Sequence, residues 1–295
     1  MRTTVSHTLT RWHRLLNYID AHLEETLGSE QLCKLAHFSQ FHFHRQFCAH
    51  FGVNLADYIQ RVRFTQAAYL LAFRHQFTVT EIALMVGFNH PEVFSRAFKR
   101  WSNLTPSAFR AQPPWEFIHQ QNTQLNQIRG PFMHTDTANY TVELIQFPTL
   151  SLAVLPHRGA PDQLGNSLLN FINWRKQHGL SPDKTRTFNI AYTPLDIEPQ
   201  TDFRLDLAVE LSHQVPLDHP DMERGTIAGG LCARIIHVGD DEGLEPAVLY
   251  LYGPWLSGHG YELRDAPLFL ERKTFYPAVP MHLRETHIYL PLQEK

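Results

Sequence analysis

The sequence predicts two domains: an all-α N-terminal domain of two helix-turn-helix units, then an α+β domain built by duplication. Three observations carry this expectation. A pattern of short helix, turn and second helix occurs twice within residues 1–112, its members 50 or 51 positions apart. A pattern of strand, His-x-Gly turn and helix occurs twice in the remainder, at an offset of 80. Between the two parts the charge balance reverses: residues 1–112 hold 12 Lys/Arg against 7 Asp/Glu, and residues 113–295 hold 14 against 22. A front of +5 suits a polyanion, whereas a back of −8 repels one. A chain of 295 residues is long for one core and comfortable for two.

Each element follows from local pattern. Trp12, Leu15, Leu16, Ile19, Leu23 and Leu27 trace one face of an amphipathic helix, which Gly28 is expected to end. Ser29 can cap a short helix carrying Leu32, Leu35 and Ala36, and after a turn at His37 and Phe38, Ser39 can cap a third. Phe43, Phe47 and Phe51 recur every four residues along it. Asn54 begins a stiff helix over residues 55–73, with Asp57 placed to favour its N-terminal dipole. Its roughly 19 residues span on the order of 28 Å, approaching the ~34 Å between successive major-groove segments on one face of DNA. Thr78 to Glu81 is a capping box, Gly87-Phe88 a tight turn, and Pro91 the first residue of a helix that buries Phe94 and Phe98.

Several function classes are set aside by composition. Cys33, Cys48 and Cys232 are odd in number and lack a CxxC spacing, which argues against a disulfide framework or a zinc ribbon. His42 and His44, two apart on a helix, diverge, and no nearby Cys or carboxylate completes a metal site. The first residues lack a signal peptide's apolar core, and no apolar run approaches the ~20 residues of a membrane helix. A soluble cytoplasmic protein without a cofactor is expected.

Within residues 10–111, the segments FSQFHFHRQF, ADYIQRVRFTQAAYLL and TEIALMVGFNHPEVFSRAFKRWSNLTPSAFR resemble the DNA-binding domain of the AraC/XylS family of bacterial transcription regulators. Asn103 stands where that family usually has Gly, and Asn tolerates the left-handed turn needed there. Burying Phe43 and Phe47 leaves Phe41, His44 and Arg45 on the opposite face, and Glu92, Ser95 and Arg96 are their counterparts in the second unit. The resemblance implies that these positions meet bases of double-stranded DNA. Arg45 and Arg96 suit bidentate contacts to guanine, Phe41 a thymine methyl, and Glu92 a cytosine amine. Gln40, His42, Lys99 and Arg100 suit the phosphate backbone.

Residues 112–138, with Pro113-Pro114 and QQNTQLNQ, read as a linker, although Trp115, Phe117 and Ile118 are too apolar for a free tether. From 139 onward, strands are expected near 142–147, 151–155, 187–192 and 204–211, with a helix over 163–178. LAVLPHRGAPDQLGNSLL lies over CARIIHVGDDEGLEPAVL, and His157 and His237 in these segments are expected to support turns. Together with FRLDLAVEL, PWLSGHGYELRDAP and ETHIYLPL, these segments resemble the GyrI-like effector-binding domain over about 141–293. The resemblance implies a pocket between the halves for an amphipathic, often cationic, small-molecule effector, with aromatic walls and a glutamate. Tyr192, Trp255, Tyr261, Phe269 and Glu271 are the candidates. The family's glutamate commonly follows a proline by three residues, whereas Glu271 follows Pro267 by four, and strand alternation puts it on the same face as Phe269.

The combination predicts a ligand-responsive regulator whose effector alters the DNA-binding domain's orientation or its contact with RNA polymerase. Two alternatives stand beside it: a small hydrolase using a base such as Glu271, or a module that sequesters another protein.

Overall fold

The computed structural model describes residues 2–38, 40–133, 140–192, 203–211 and 215–294. They divide into two compact units, Met1–Thr135 and Asp136–Lys295.

The first unit is helical: α1 (Arg2–Ala21), α2 (Ser29–Leu35), α3 (Gln40–Phe51), α4 (Leu55–Phe73), α5 (Val79–Met85), α6 (Pro91–Ser102), α7 (Pro106–Ala111) and α8 (Trp115–Met133). Helix α1 stops earlier than its apolar stripe suggests. The His22 Nδ1 lies 2.8 Å from the Tyr18 carbonyl, taking an acceptor the helix would otherwise use. Glu24 and Glu25, next in the chain, would face the negative end of the helix dipole. Gly28 does not end α1; with φ −75° it is the N-cap of α2. Ser39, expected to cap α3, lies outside the described residues.

Ser29 does not cap α2: it is that helix's first residue, and no side chain caps the helix. The capping signals at Asn54, Thr78 and Asn103 appear in the structure. The Asn54 side chain accepts the Asp57 amide at 2.9 Å, and Thr78 and Glu81 exchange both bonds of the capping box. Asn103 takes the left-handed conformation, φ 59°. His37 (φ 52°) and Gly87 (φ 79°), 50 residues apart, occupy the same left-handed turn in the two helix-turn-helix repeats. The first unit's core joins Trp12, Leu15, Leu16 and Ile19 to Phe43, Phe47 and Phe51. In the second helix-turn-helix of the same unit Phe94, Phe98 and Phe109 are fully buried. Cys33 is buried, with its thiol donating to the Glu30 carbonyl, so it packs rather than presents a reactive thiol.

The stretch assigned to a linker carries α8, which packs on the helical unit. Pro113 and Pro114 separate α7 from α8 rather than opening a tether: the Pro114 carbonyl accepts the Ile118 amide at 3.0 Å. Leu125 enters the core beside α1, Arg129 donates to Asp20 at 2.6 Å with both side chains buried, and Trp101 donates to Gln121. The asparagines and glutamines that suggested a coil cover the outer side of a helix whose inner side is buried.

The second unit is α+β. Its strands are β1 (Val142–Phe147), β2 (Leu150–Arg158), β3 (Thr187–Ala191), β4 (Arg204–Glu210), β5 (Glu223–Ile227), β6 (Gly230–Val238), β7 (Tyr261–Leu263), β8 (Leu268–Arg272) and β9 (Glu285–Glu294), with α9 (Leu164–Gln177) and α10 (Leu244–Tyr250) between them. The antiparallel order is β1-β6-β9-β8-β3-β4-β2-β5, and β7 pairs with β9. Two four-stranded halves therefore join where β3 meets β8. The registers give the equivalences: Leu152 opposite Glu210 repeats as Cys232 opposite Pro291, and Phe188 opposite Ala208 repeats as Phe269 opposite Tyr289. The offset is thus 80 for β2 and β6 but 81 for β3 and β8. Each half takes its outermost strand from the other repeat: β1 pairs with β6, and β5 with β2.

Alternation separates the two faces of the sheet. Leu268, Leu270, Ile288 and Leu290 pack beneath α10, and Ala153, Leu155, Leu207 and Val209 join the cluster of α9. The other face carries Phe147, Phe188, Ile190, Phe269 and Tyr289.

Candidate functional site

The helical unit offers a paired surface. In α3, burial of Phe43 and Phe47 leaves His42, His44 and Arg45 exposed, and Gln40 and Phe41 are the helix's first two residues. In α6, Phe94, Ala97 and Phe98 are buried while Glu92, Arg96, Lys99 and Arg100 are exposed and Ser95 is half-buried. Arg96 sits between two surface depressions, one lined by Val93, Lys99, Arg100 and Asn103, the other by Val79, Thr80, Pro91, Glu92 and Ser95. Three cations thus follow one another along the exposed side of α6. Lys99 and Arg100 fall in its last turn, where positive charge complements the dipole.

In the sheet unit the five residues implied by resemblance do not form one site. Phe269 and Glu271 share the face away from the helices, and Phe269 stacks on Tyr289 at 4.9 Å. Tyr192 lies at the end of β3, with the Arg204 guanidinium 3.9 Å over its ring and Arg204 paired in turn with Asp206. Trp255 and Tyr261 belong to the opposite face, packed with α10 and stacked at 6.2 Å. Both are core residues of the helix-covered layer, because the sheet itself separates them from Glu271.

Around Glu271 the structure gathers residues the sequence had not singled out. The Arg186 guanidinium meets the carboxylate at two points, Nε to Oε1 at 2.8 Å and Nη2 to Oε2 at 3.0 Å. Lys273 donates to Oε1 at 3.1 Å, and the Tyr289 hydroxyl donates to Oε2 at 2.9 Å. Arg186 also lies 5.1 Å from each of the Phe147 and Phe188 ring centroids. Burial by itself would raise the Glu271 pKa, but the Arg186, Tyr289 and Lys273 contacts outweigh it and hold the carboxyl down to about 2. Burial and the adjacent carboxylate push the Tyr289 phenol well above its ordinary value. A hydrogen-bonded run continues along β9, with His287 bridging Glu285 (2.7 Å) and the Tyr289 hydroxyl (3.3 Å).

His157 and His237 repeat one another in structure as in sequence. Each Nε2 lies beside the carbonyl three residues on, Ala160 at 3.2 Å and Asp240 at 2.8 Å. Both hold turns. Among the described residues, no group of three or more His, Cys, Asp or Glu is placed to hold a metal ion, and no helix is long and apolar enough to cross a membrane.

Comparison with known proteins agrees with this division. Residues 32–112 match a helix-turn-helix domain, and residues 140–293 match the GyrI-like small molecule binding domain. The chain is 33% identical over 153 residues to the probable transcriptional regulator YgiV of Escherichia coli K12, covering 51% of this chain and 95% of YgiV. It is 35% identical over 97 residues to the uncharacterized HTH-type transcriptional regulator YbfP of Bacillus subtilis 168, covering 33% of this chain and 32% of that protein. The solved EcmrR–DNA complex in EcmrR-RPo is similar at 14% identity and a TM-score of 0.44, over 90% of this chain and 99% of that one. The chain belongs to the GyrI-like small-molecule-binding family and, carrying an AraC-type helix-turn-helix region ahead of that domain, is a DNA-binding transcription regulator.

Proposed function

We propose that α3 and α6 read double-stranded DNA as a matched pair, and that the sheet unit binds an amphipathic cation that adjusts the regulator's action. The observation that carries the first part is the repeated phase. Two helices, each anchored by phenylalanines on one side, present arginines at equivalent positions on the other. Arg45 and Arg96 are the base readers, assisted by Phe41, His44, Glu92 and Ser95, while Gln40, His42, Lys99 and Arg100 position the phosphates. Arg96→Ala is expected to weaken the cognate site by about 1–3 kcal/mol and random DNA far less. Fluorescence anisotropy on both DNAs at several salt concentrations measures this; equal losses on the two would reduce Arg96 to a phosphate contact. Affinity for either DNA should fall as salt rises, since each neutralised phosphate releases counterions.

The second part is supported by the aromatic cluster and ionised carboxylate at the seam of the two halves. A cation between aromatic faces gains about 0.5–2 kcal/mol per good contact. A panel of lipophilic cations, from tetraalkylammonium to arylamidinium ions, should raise the melting temperature of the full chain. No shift across the panel removes this effector class. Binding there would then act through the DNA-binding unit's orientation or through contact with RNA polymerase.

One observation speaks for the hydrolase alternative, the Glu285–His287–Tyr289 run ending on Glu271. The charges oppose it. A carboxylate held to about 2 is a weak base, and a phenol whose pKa is raised is a poor nucleophile. The regulator reading is the stronger.

A further inference from the structure

Glu271 has a full complement of donors. A carboxylate offers about four lone-pair positions, and the two nitrogens of Arg186, the Lys273 ammonium and the Tyr289 hydroxyl use one each. The Arg186 guanidinium lies over both Phe147 and Phe188. Aromatic faces, a buried carboxylate and a cation held at two points are what a receptor for an organic cation would provide, and here the cation comes from the chain itself.

The surroundings differ in their freedom to move. Glu271 is 2% exposed, and Phe147, Phe188, Phe269 and Tyr289 are buried, so the receptor is fixed. The Arg186 side chain is 31% exposed and that of Lys273 39%, so both can withdraw into water without unpacking the core. Arg186 precedes β3 rather than lying within it. The duplicated half provides no second copy of the site: at the 81-residue offset Glu271 corresponds to Ile190 and Tyr289 to Ala208.

We propose that Arg186 is a tethered internal ligand, that an effector binds by exchange with its guanidinium, and that the site therefore selects flat amidinium or guanidinium ions bearing an apolar group. This rests on the reading of the sheet unit as a cation receptor and adds how the receptor is occupied and what shape it prefers. A planar fork of N–H donors reproduces the two-point contact to Glu271, which a quaternary ammonium cannot. Exchange lowers the apparent affinity by the fraction of time the site stands vacant, so vacancy of about a tenth or less weakens binding about tenfold or more.

The test compares benzamidinium with phenyltrimethylammonium, similar in size and charge but without N–H donors, by calorimetry on the full-length wild type, Arg186→Ala and Arg186→Ala/Glu271→Gln. The expected result is a gain in benzamidinium affinity of about tenfold or more in Arg186→Ala, a clear preference over phenyltrimethylammonium, and loss of both effects in the double variant. No gain in Arg186→Ala while the wild type binds either cation overturns the tethered ligand and leaves the cation receptor standing. An equal gain for both cations overturns the selection for flat ions. Failure of every protein to bind either cation removes the receptor reading and this one together. A further measurement needs only the folded wild type. Saturating benzamidinium should shift the Arg186 Nε–H resonance away from its carboxylate-bonded position, assigned through Arg186→Lys, and an unmoved resonance at saturation overturns the exchange.

Discussion

Gly87→Ala is expected to destabilise the DNA-binding unit by about 3–5 kcal/mol, among the largest single effects available in this chain. Two costs add. The residue holds φ 79°, where a Cβ costs roughly 1–2 kcal/mol. The Cβ would also stand 2.1 Å from the Leu23 carbonyl oxygen and 2.5 Å from the Arg63 guanidinium. The arginine can swing aside, but it would lose its 2.8 Å bond to the Glu25 carbonyl and its seat over Phe88. The Leu23 carbonyl is backbone, and its withdrawal would carry the end of α1 with it. His37 supplies the internal control, since it holds the equivalent turn with a side chain already in place. His37→Ala should therefore change stability by less than about 1 kcal/mol. Urea unfolding of both variants separates the cases, and a Gly87→Ala loss no greater than that of His37→Ala would mean that the second turn relaxes freely.

Asp20→Ala should cost a similar amount, about 3–5 kcal/mol, through a different cause. The Asp20–Arg129 pair is buried on both sides and joins α1 to α8 across 109 residues. Removing the carboxylate leaves a guanidinium inside the protein with its main counter-charge gone. Replacing both partners together, Asp20→Leu with Arg129→Met, removes the desolvation cost along with the attraction and should recover most of the loss. Chemical unfolding of the two singles and the double closes the cycle; purely additive losses would show that the pair does not act as a unit. The Asp20→Ala chain should also expose α8 to limited proteolysis earlier than the wild type.

How far the fold was legible in the sequence depended on whether the signal was local. The Thr78–Glu81 capping box, the asparagine at the end of α6 and the twin phenylalanine ladders are short-range patterns, and the structure contains them at the expected residues. In the segment that forms α8, Pro113-Pro114 and the glutamines resemble a tether. What makes it a helix is Leu125 and Arg129 finding partners on α1, a long-range contact no local pattern announces. Gly28 is a misleading end signal for α1, because it serves the helix that follows.

The cluster around Glu271 was harder to read for a specific reason. A repeat offset of 80 was visible in the β2 and β6 segments, but one extra residue shifts the later strands to 81. At the earlier offset Phe188 lines up with Leu268, and its equivalence to Phe269 is hidden. Arg186 was invisible for a related cause: it lies just outside a strand and 85 residues from its carboxylate. The sequence placed Phe269 and Glu271 on one face but grouped them with Trp255 and Tyr261, because aromatic residues near a glutamate carry no mark of which side of a sheet they will occupy.

The exchange of outer strands between repeats has a mechanical consequence. With β1 completing the β6 side and β5 completing the β2 side, neither repeat can peel away without tearing the hydrogen-bonded border of its sibling. A backbone nick between β4 and β5 would yield interlocked fragments rather than two free lobes.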